Sequence, residues 1–340
     1  MRMGAPANAP AGLWTLAMRR LRADRVAMLS LAVVALFLAM LGLSSMGLVA
    51  AGWEEEVGVT YAPPSFTGPD ALTQEGAGVA RMAPPPNAFD PLAGDIAAVI
   101  DAQGAAIAAP PPARLPTLAF GADKWGHDVL LKTIKGGETS IVVGLAAALL
   151  AVALGTLFGA FSGYFGGVVD DLFNWFYSVF TSIPPILMIL AVAAVLQHKG
   201  VSTIVLILGL TGWTGPYRLI RAEYMKHKGR EYVMAADAIG ASHWRKMFSH
   251  IFPNISHVAL VQLSILAVGF IKAEVILSFL GFGVPVGVVS WGSMLNEAQN
   301  ELILGKWWQL TAAATAMALL VTAFSLLTDA LRDALDPKLK

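Results

Sequence analysis

Six apolar runs, at about 26–51, 139–163, 171–196, 201–220, 255–280 and 308–331, dominate this chain of 340 residues. Each is long enough to cross the ~30 Å hydrocarbon core of a bilayer, which takes about 20 helical residues. In hydrocarbon every backbone N–H and C=O must find a partner within the protein, so apolar runs of this length become helices. The expected fold is all-α: a polytopic membrane helix bundle of about six transmembrane helices. Composition agrees. Charged residues make up 14% and hydrophobic ones 56%, with a mean hydropathy of +0.65, whereas soluble domains carry about a quarter charged residues. The third run contains Pro184 and Pro185, which kink or break a helix. A net charge of zero gives no whole-chain attraction to nucleic acid. With no cysteine there is no disulfide, thiolate metal site or thiol nucleophile.

The segments between the runs divide the chain. Residues 1–25 form an N-terminal segment in which Leu13, Trp14, Leu16 and Leu21 alternate with Arg19, Arg20, Arg22 and Arg25. That pattern suits an amphipathic helix on the membrane surface. Residues 26–51 form a first span, too long for the roughly 7–15-residue core of a secretory signal. Residues 52–135 form a proline-rich loop in which acids outnumber bases, with a helix expected around 93–108 and a surface helix carrying Lys124, Lys132 and Lys135 into the second span. Residues 136–340 hold five further spans, with a long loop at 223–253. Trp307 and Trp308 open the last run as an interfacial aromatic belt does.

Lys and Arg concentrate on the cytoplasmic side of membrane proteins. They cluster here in the N-terminal flank, in the loop from Arg218 to Lys246, and in the tail with Arg332, Lys338 and Lys340. Six spans put all three on one face, so both termini are expected in the cytoplasm and the 53–122 loop outside. Asp170 and Asp171 then cap a helix on the cytoplasmic side.

The 223–253 loop is too long for a simple turn. After Arg230, Glu231 opens a short helix at the end where the helix dipole favours an acid. Met234, Ala235 and Ala236 continue it with high helix propensity. Gly240 supplies a left-handed cap, Ala241 follows, and Ser242 caps a second short helix. Pro253 is expected to break the chain before the fifth span. The pattern is two short helices joined by a glycine bend, with small residues that admit a partner's surface.

This stretch resembles the cytoplasmic loop of binding-protein-dependent ABC permeases, with Ala235 and Ala236, Gly240 and Pro253 in the family's pattern and Met234 where that family has Glu. The similarity runs through about 121–340. It includes Gly121–Val129, with His127 where the family has Arg, together with Gly163–Gly167, Ser278–Gly283, Ser290–Leu295 and Leu331–Pro337. These look like the second permease of oligopeptide and dipeptide importers in the bacterial inner membrane. The resemblance implies a pathway shared with a second permease and two cytoplasmic ATPases that carry ATP and Mg. It also implies an extracytoplasmic substrate-binding protein and contact with membrane lipid. The 231–250 loop would dock on an ATPase. Peptides lead as substrates, while nickel complexes, haem, opines and oligosaccharides use similar permeases.

No Gly-x-x-x-x-Gly-Lys-Ser/Thr loop, His-Glu-x-x-His helix or Gly-x-Ser-x-Gly elbow occurs, so no catalytic residue and no cofactor of its own is expected in this chain. His243, His250 and His257 recur at seven-residue spacing and read as an interfacial stripe rather than a metal site. Lys272 and Glu274 fall inside the fifth run, where an ion costs about 2.5–3.5 kcal/mol at a helix centre. With Pro184 and Trp213 they are the candidates for a pathway or gate. Lys272 and Glu274 point roughly 200° apart on a helix. A secondary transporter would need more buried acids than Glu274, and a membrane enzyme would need a nucleophile and base at matched depth.

Overall fold

The computed structural model describes residues 13–69, 114–196, 200–285 and 287–335. The helix expected around 93–108 lies outside them, as do His198 and Pro337. Helix α1 (Leu13–Ala23) leads into α2 (Arg25–Ser45), with Asp24 between them accepting from the Val26 backbone N–H at 2.8 Å. Then come α3 (Val129–Phe165), α4 (Gly167–Thr181), α5 (Pro185–Leu196), α6 (Val201–Thr211), α7 (Thr214–Lys228) and α8 (Glu231–Ala238). A π-helical segment, Arg245–Ile251, runs into α9 (Phe252–Phe279), followed by α10 (Trp291–Ile303) and α11 (Trp308–Leu335). The all-α polytopic bundle stands. Among the described residues four helices are long and apolar enough to cross a membrane: α2, α3, the continuous Arg245–Phe279 helix and α11.

The other two runs are each broken. Helices α4 and α5 meet at 88°, the break expected from Pro184 and Pro185. Proline is well suited to the first turn of a helix, and the Pro184 carbonyl accepts from Leu187 N–H at 3.0 Å as α5 begins. The run at 201–220 is not one helix, contrary to expectation. It splits at Gly212 into α6, about 17 Å long, and α7. A side chain at Gly212 would lie 2.3 Å from the Phe270 ring, so α9 approaches closely at the break.

Helix α3 is the central post, contacting α2, α6, α7, α9, α10 and α11. Its 37 residues span about 55 Å, far more than hydrocarbon requires. Lys132 and Lys135 therefore lie on the protruding first turns of the span itself, not on a separate surface helix. Glycines make the post narrow. A Cβ on Gly155 would stand 2.6 Å from the Trp213 carbonyl oxygen, one on Gly159 2.8 Å from that of Tyr217, and one on Gly163 2.5 Å from that of Arg221. Both series advance by four residues, so α7 lies backbone to backbone along one ridge of α3. Membrane helices associate through such small-residue faces because lipid supplies no hydrophobic drive between them.

The two ends of the bundle differ. At one, residues 56–64 pair through isolated bridges with 115–128 to form an extended cap over the start of α3. At the other lie the end of α3, the basic end of α7, α8 and the π segment.

Candidate coupling surface and buried polar sites

Helix α8 is held like a knuckle beneath the bundle. Glu231 sits in its first turn and Lys226 and Lys228 in the last turn of α7, each charge opposing the adjacent helix dipole. Gly240 takes φ +78°, its N–H bonds the Asp237 carbonyl at 2.9 Å, and the Ala241 N–H bonds the Ala236 carbonyl at 3.0 Å. That pair of bonds is a Schellman cap, for which glycine carries no steric penalty. The Ser242 hydroxyl accepts from Arg245 N–H at 3.4 Å, as expected of a residue opening the next helix.

Several contacts clamp the knuckle. Tyr164 meets His243 at 2.9 Å, the Tyr224 hydroxyl donates to the Met247 carbonyl at 3.1 Å, and Lys246 pairs with Asp237. The Lys246 ammonium, by hydrogen bond and charge, holds the Asp237 carboxyl below its ordinary range. Val233 and Ala236 face inward. Ala236 is thus a packing residue, not part of the outer surface with which the sequence grouped it. Arg230, Glu231, Ala235 and Ser242 are exposed. So are three large apolar side chains, Met234 (56%), Ile239 (84%) and Trp244 (62%).

Pro253 does not break the chain. Its missing N–H and its ring would disturb a regular α-turn, but the π segment widens the helix just before it. The Phe252 N–H reaches back five residues to Met247, and the helix continues.

Deep in the bundle Glu274 is fully buried, and its Oε1 accepts from the Ser278 hydroxyl at 2.6 Å. Ser140 of α3 and Ser290 at the start of α10 stand beside this carboxyl, whose Oε2 has no hydrogen-bond partner. Ser140 accepts from Trp291 N–H at 3.2 Å, and Ser278 from Val284 N–H at 3.3 Å. A Cβ on Gly283 would sit 1.9 Å from the Ser278 hydroxyl, and one on Gly292 2.5 Å from the Val275 carbonyl oxygen. The motifs Ser278–Gly283 and Ser290–Leu295, far apart in function by sequence alone, thus close around one carboxyl. Lys272 is exposed on the opposite side of the helix, as the 200° separation requires.

The cap end holds a second polar cluster. Lys132 reaches Asp123 at 2.7 Å, Glu297 at 2.6 Å and the Gln309 side-chain oxygen at 3.4 Å. Asp123 also accepts from the backbone of Trp125 at 2.8 Å and His127 at 3.0 Å, and meets the His127 ring at 2.9 Å. Burial pushes the Asp123 carboxyl up, but Lys132 and these bonds outweigh it and hold it below its ordinary value. His127, read as a departure from a motif, is therefore a partner of the motif's own aspartate.

Residues 155–340 match the family described as binding-protein-dependent transport system inner membrane component. The chain is 36% identical over 221 residues to the dipeptide transport system permease of Bacillus subtilis (strain 168), covering 65% of this chain and 69% of that one. Its identity to the oligopeptide transport system permease of the same organism is 35% over 221 residues, covering 65% and 72%. A Haemophilus influenzae oligopeptide permease is 34% identical over 219 residues, covering 64% and 70%. The chain belongs to this permease family. It is a multi-pass inner-membrane transport subunit of the ABC importer type.

Within the permease, the four pathway candidates differ in their surroundings. Trp213 is buried, stacked edge-on to Phe158, Phe180 and Tyr217 at 5.2–5.5 Å. Pro184 is exposed at the α4–α5 bend, Lys272 is exposed elsewhere, and Glu274 lies inside the subunit. Asp170 does not cap α4, whose N-cap is Gly166 without a side-chain bond; it lies in the first turn and takes a two-pronged pair from Arg221, both bonds 2.6 Å. Among the described residues no three His, Cys, Asp or Glu side chains gather as metal ligands. The sequence reading missed Glu301 and the Lys132 cluster; charged residues on α3 and α10 gave no spacing signal because the fold alone joins them.

Glu274→Ala will destabilise the permease by about 2–4 kcal/mol, since it opens a cavity and strips the buried Ser278 hydroxyl of its acceptor. Glu274→Gln will retain most of the stability, and Lys272→Ala will stay within about 0.5 kcal/mol of wild type. Thermal unfolding in detergent measures all three; equal midpoints for Glu274→Ala and Lys272→Ala would show that the carboxyl holds nothing.

Proposed function

We propose that this permease forms half of a peptide-import pathway with a second, homologous permease, and that α8 with its flanks takes up motion from one of two cytoplasmic ATPases. The observation that carries this reading is the knuckle itself: exposed apolar side chains, Met234 on a short helix, Ile239 at its cap and Trp244 at the start of the π segment, clamped to the ends of α3 and α7. Apolar side chains this exposed, on a rigid support, suit a protein partner. A partner that moves α8 moves α3, the post every broken span packs against.

ATP and Mg belong to the partner ATPases in this reading. The positive charges of α7 and the loop after it support a cytoplasmic α8 and cytoplasmic termini. The cap at the other end would face the medium and receive substrate from a binding protein. Peptides are proposed because the similar permeases are named for dipeptide and oligopeptide transport.

Purification of the tagged subunit in mild detergent is expected to bring a second permease and ATPases. The reconstituted complex, given its binding protein, is expected to accumulate labelled peptide only with ATP inside. Transport by this subunit alone, driven by an ion gradient, would overturn the proposal.

A further inference from the structure

The Lys132 cluster contains one carboxyl more than its cation can serve. Glu301 lies four residues beyond Glu297, hence on the same face of α10. It is 1% exposed, and no side chain hydrogen-bonds either of its oxygens; the Lys124 backbone N–H is the one donor directed at it. Lys132 is already committed to Asp123 and Glu297. A buried polar group without a partner costs free energy, and an unpaired buried charge costs far more unless it takes up a proton.

We propose that Glu301 is a proton-binding site that sets the grip between the extended cap and α10. Every surrounding element bears on it. The cap contributes Asp123, the His127 ring on Asp123, and the Tyr61 hydroxyl; Lys124 is turned onto Trp125 at 5.3 Å. Helix α3 contributes Lys132, α10 contributes Glu297, and α11 contributes the neutral Gln309. Lys306 lies over the Trp308 ring at 5.3 Å. Within the hydrogen-bonded cluster, Asp123 and Glu297 bring two carboxylates against the one ammonium of Lys132.

Burial pushes the Glu301 carboxyl up, Lys132 and the Lys124 backbone N–H offset part of this, and Asp123 and Glu297 push it further, to about 7 from an ordinary 4.5. When the cap lifts and water enters, the group returns toward its ordinary value. Between these values the closed cap holds a proton that the open one has lost. The closed state is therefore fully favoured below about pH 4.5, and that advantage is lost as pH rises to about 7. At ten-fold per pKa unit, opening gains a factor of up to about 10² across this window. On the orientation proposed above, the site faces the medium, and acid outside would lock the cap onto α10 and α11.

Hydrogen exchange of the purified full-length subunit, corrected for intrinsic chemistry, tests this between about pH 5 and pH 8. Protection of residues 121–128 and 291–303, relative to 140–155, is expected to fall about 10-fold or more across the range in wild type. Glu301→Gln is expected to remain protected and flat, and Glu301→Met serves if the glutamine variant does not fold. His127→Asn is expected to keep the response. A response that survives in both Glu301 variants, or that vanishes only in His127→Asn, overturns the proposal. Exchange is read without transport, so failure here leaves the coupling proposal intact, and failure of coupling leaves this result standing.

Discussion

A Gly159→Leu subunit will fail to accumulate in the membrane, whereas Gly269→Ala will accumulate as well as wild type or better. Both changes add a side chain to the interior of an apolar helix. At Gly159 even a Cβ would sit 2.8 Å from the Tyr217 carbonyl oxygen and 2.9 Å from the Arg221 nitrogen. Those are backbone atoms, so no rotamer change makes room and α7 must leave α3. Overpacking ordinarily costs about 1–3 kcal/mol, occasionally more. Here the cost exceeds that range because the same displacement undoes the contacts at Gly155 and Gly163 and pulls Arg221 from Asp170. Nothing lies within 4 Å of a Cβ built on Gly269. There alanine gains only the helix preference over glycine, about 0.8–1 kcal/mol. Quantitative immunoblotting of membranes and thermal unfolding of the purified proteins measure both. Normal levels of Gly159→Leu would mean that α7 does not lie on this ridge.

That contrast marks where sequence reading stops. Length and apolarity located the membrane runs, because a bilayer imposes a minimum length that no soluble core imposes. Pro184 and Pro185 marked one break because proline acts through its own covalent geometry. The break at Gly212 acts through a neighbour, the Phe270 ring, and could not be read locally. The same holds for Gly155, Gly159 and Gly163. Their four-residue spacing is visible, but its meaning depends on which helix lies opposite. Gly240 was legible because a left-handed cap is local, while the inward turn of Ala236 depends on the direction of a helix only eight residues long. Pro253 misled for a related reason: its cost is real, but the π segment before it absorbs that cost and the helix runs on. Glu274 was visible as an ion out of place. Its seat beside Ser140, Ser278 and Ser290 required α3 and α10 to be in position.

Ile239→Asp will leave the permease folded and assembled but will weaken its grip on the proposed ATPase by about 30-fold. Ile239 is 84% exposed, so aspartate there disturbs no packing within the subunit. At an interface, losing a central apolar contact and burying an unpaired charge costs about 2 kcal/mol or more, which corresponds to that factor. Met234→Asp is expected to act in the same direction. Gly240→Val fails differently. Its φ of +78° is one that a β-branched residue adopts only with strain, so the Schellman cap opens and α8 loses its direction while its exposed side chains are unchanged. Ala236→Trp tests something else again: at 5% exposure it disrupts the seat of α8 and should lower stability first. If coupling runs through a surface, Ile239→Asp and Met234→Asp will abolish permease-dependent stimulation of ATP hydrolysis and peptide uptake in proteoliposomes, with thermal stability unchanged. If it runs only through the stiffness of the clamp, those two will be silent, and Gly240→Val alone will uncouple hydrolysis from transport. Arg230→Glu separates charge from shape. At the exposed start of α8, with no capping bond from its side chain, it alters neither packing nor the cap. A loss there that salt reduces would show that the partner's surface is acidic, because screening weakens exposed charge pairs but not apolar contacts.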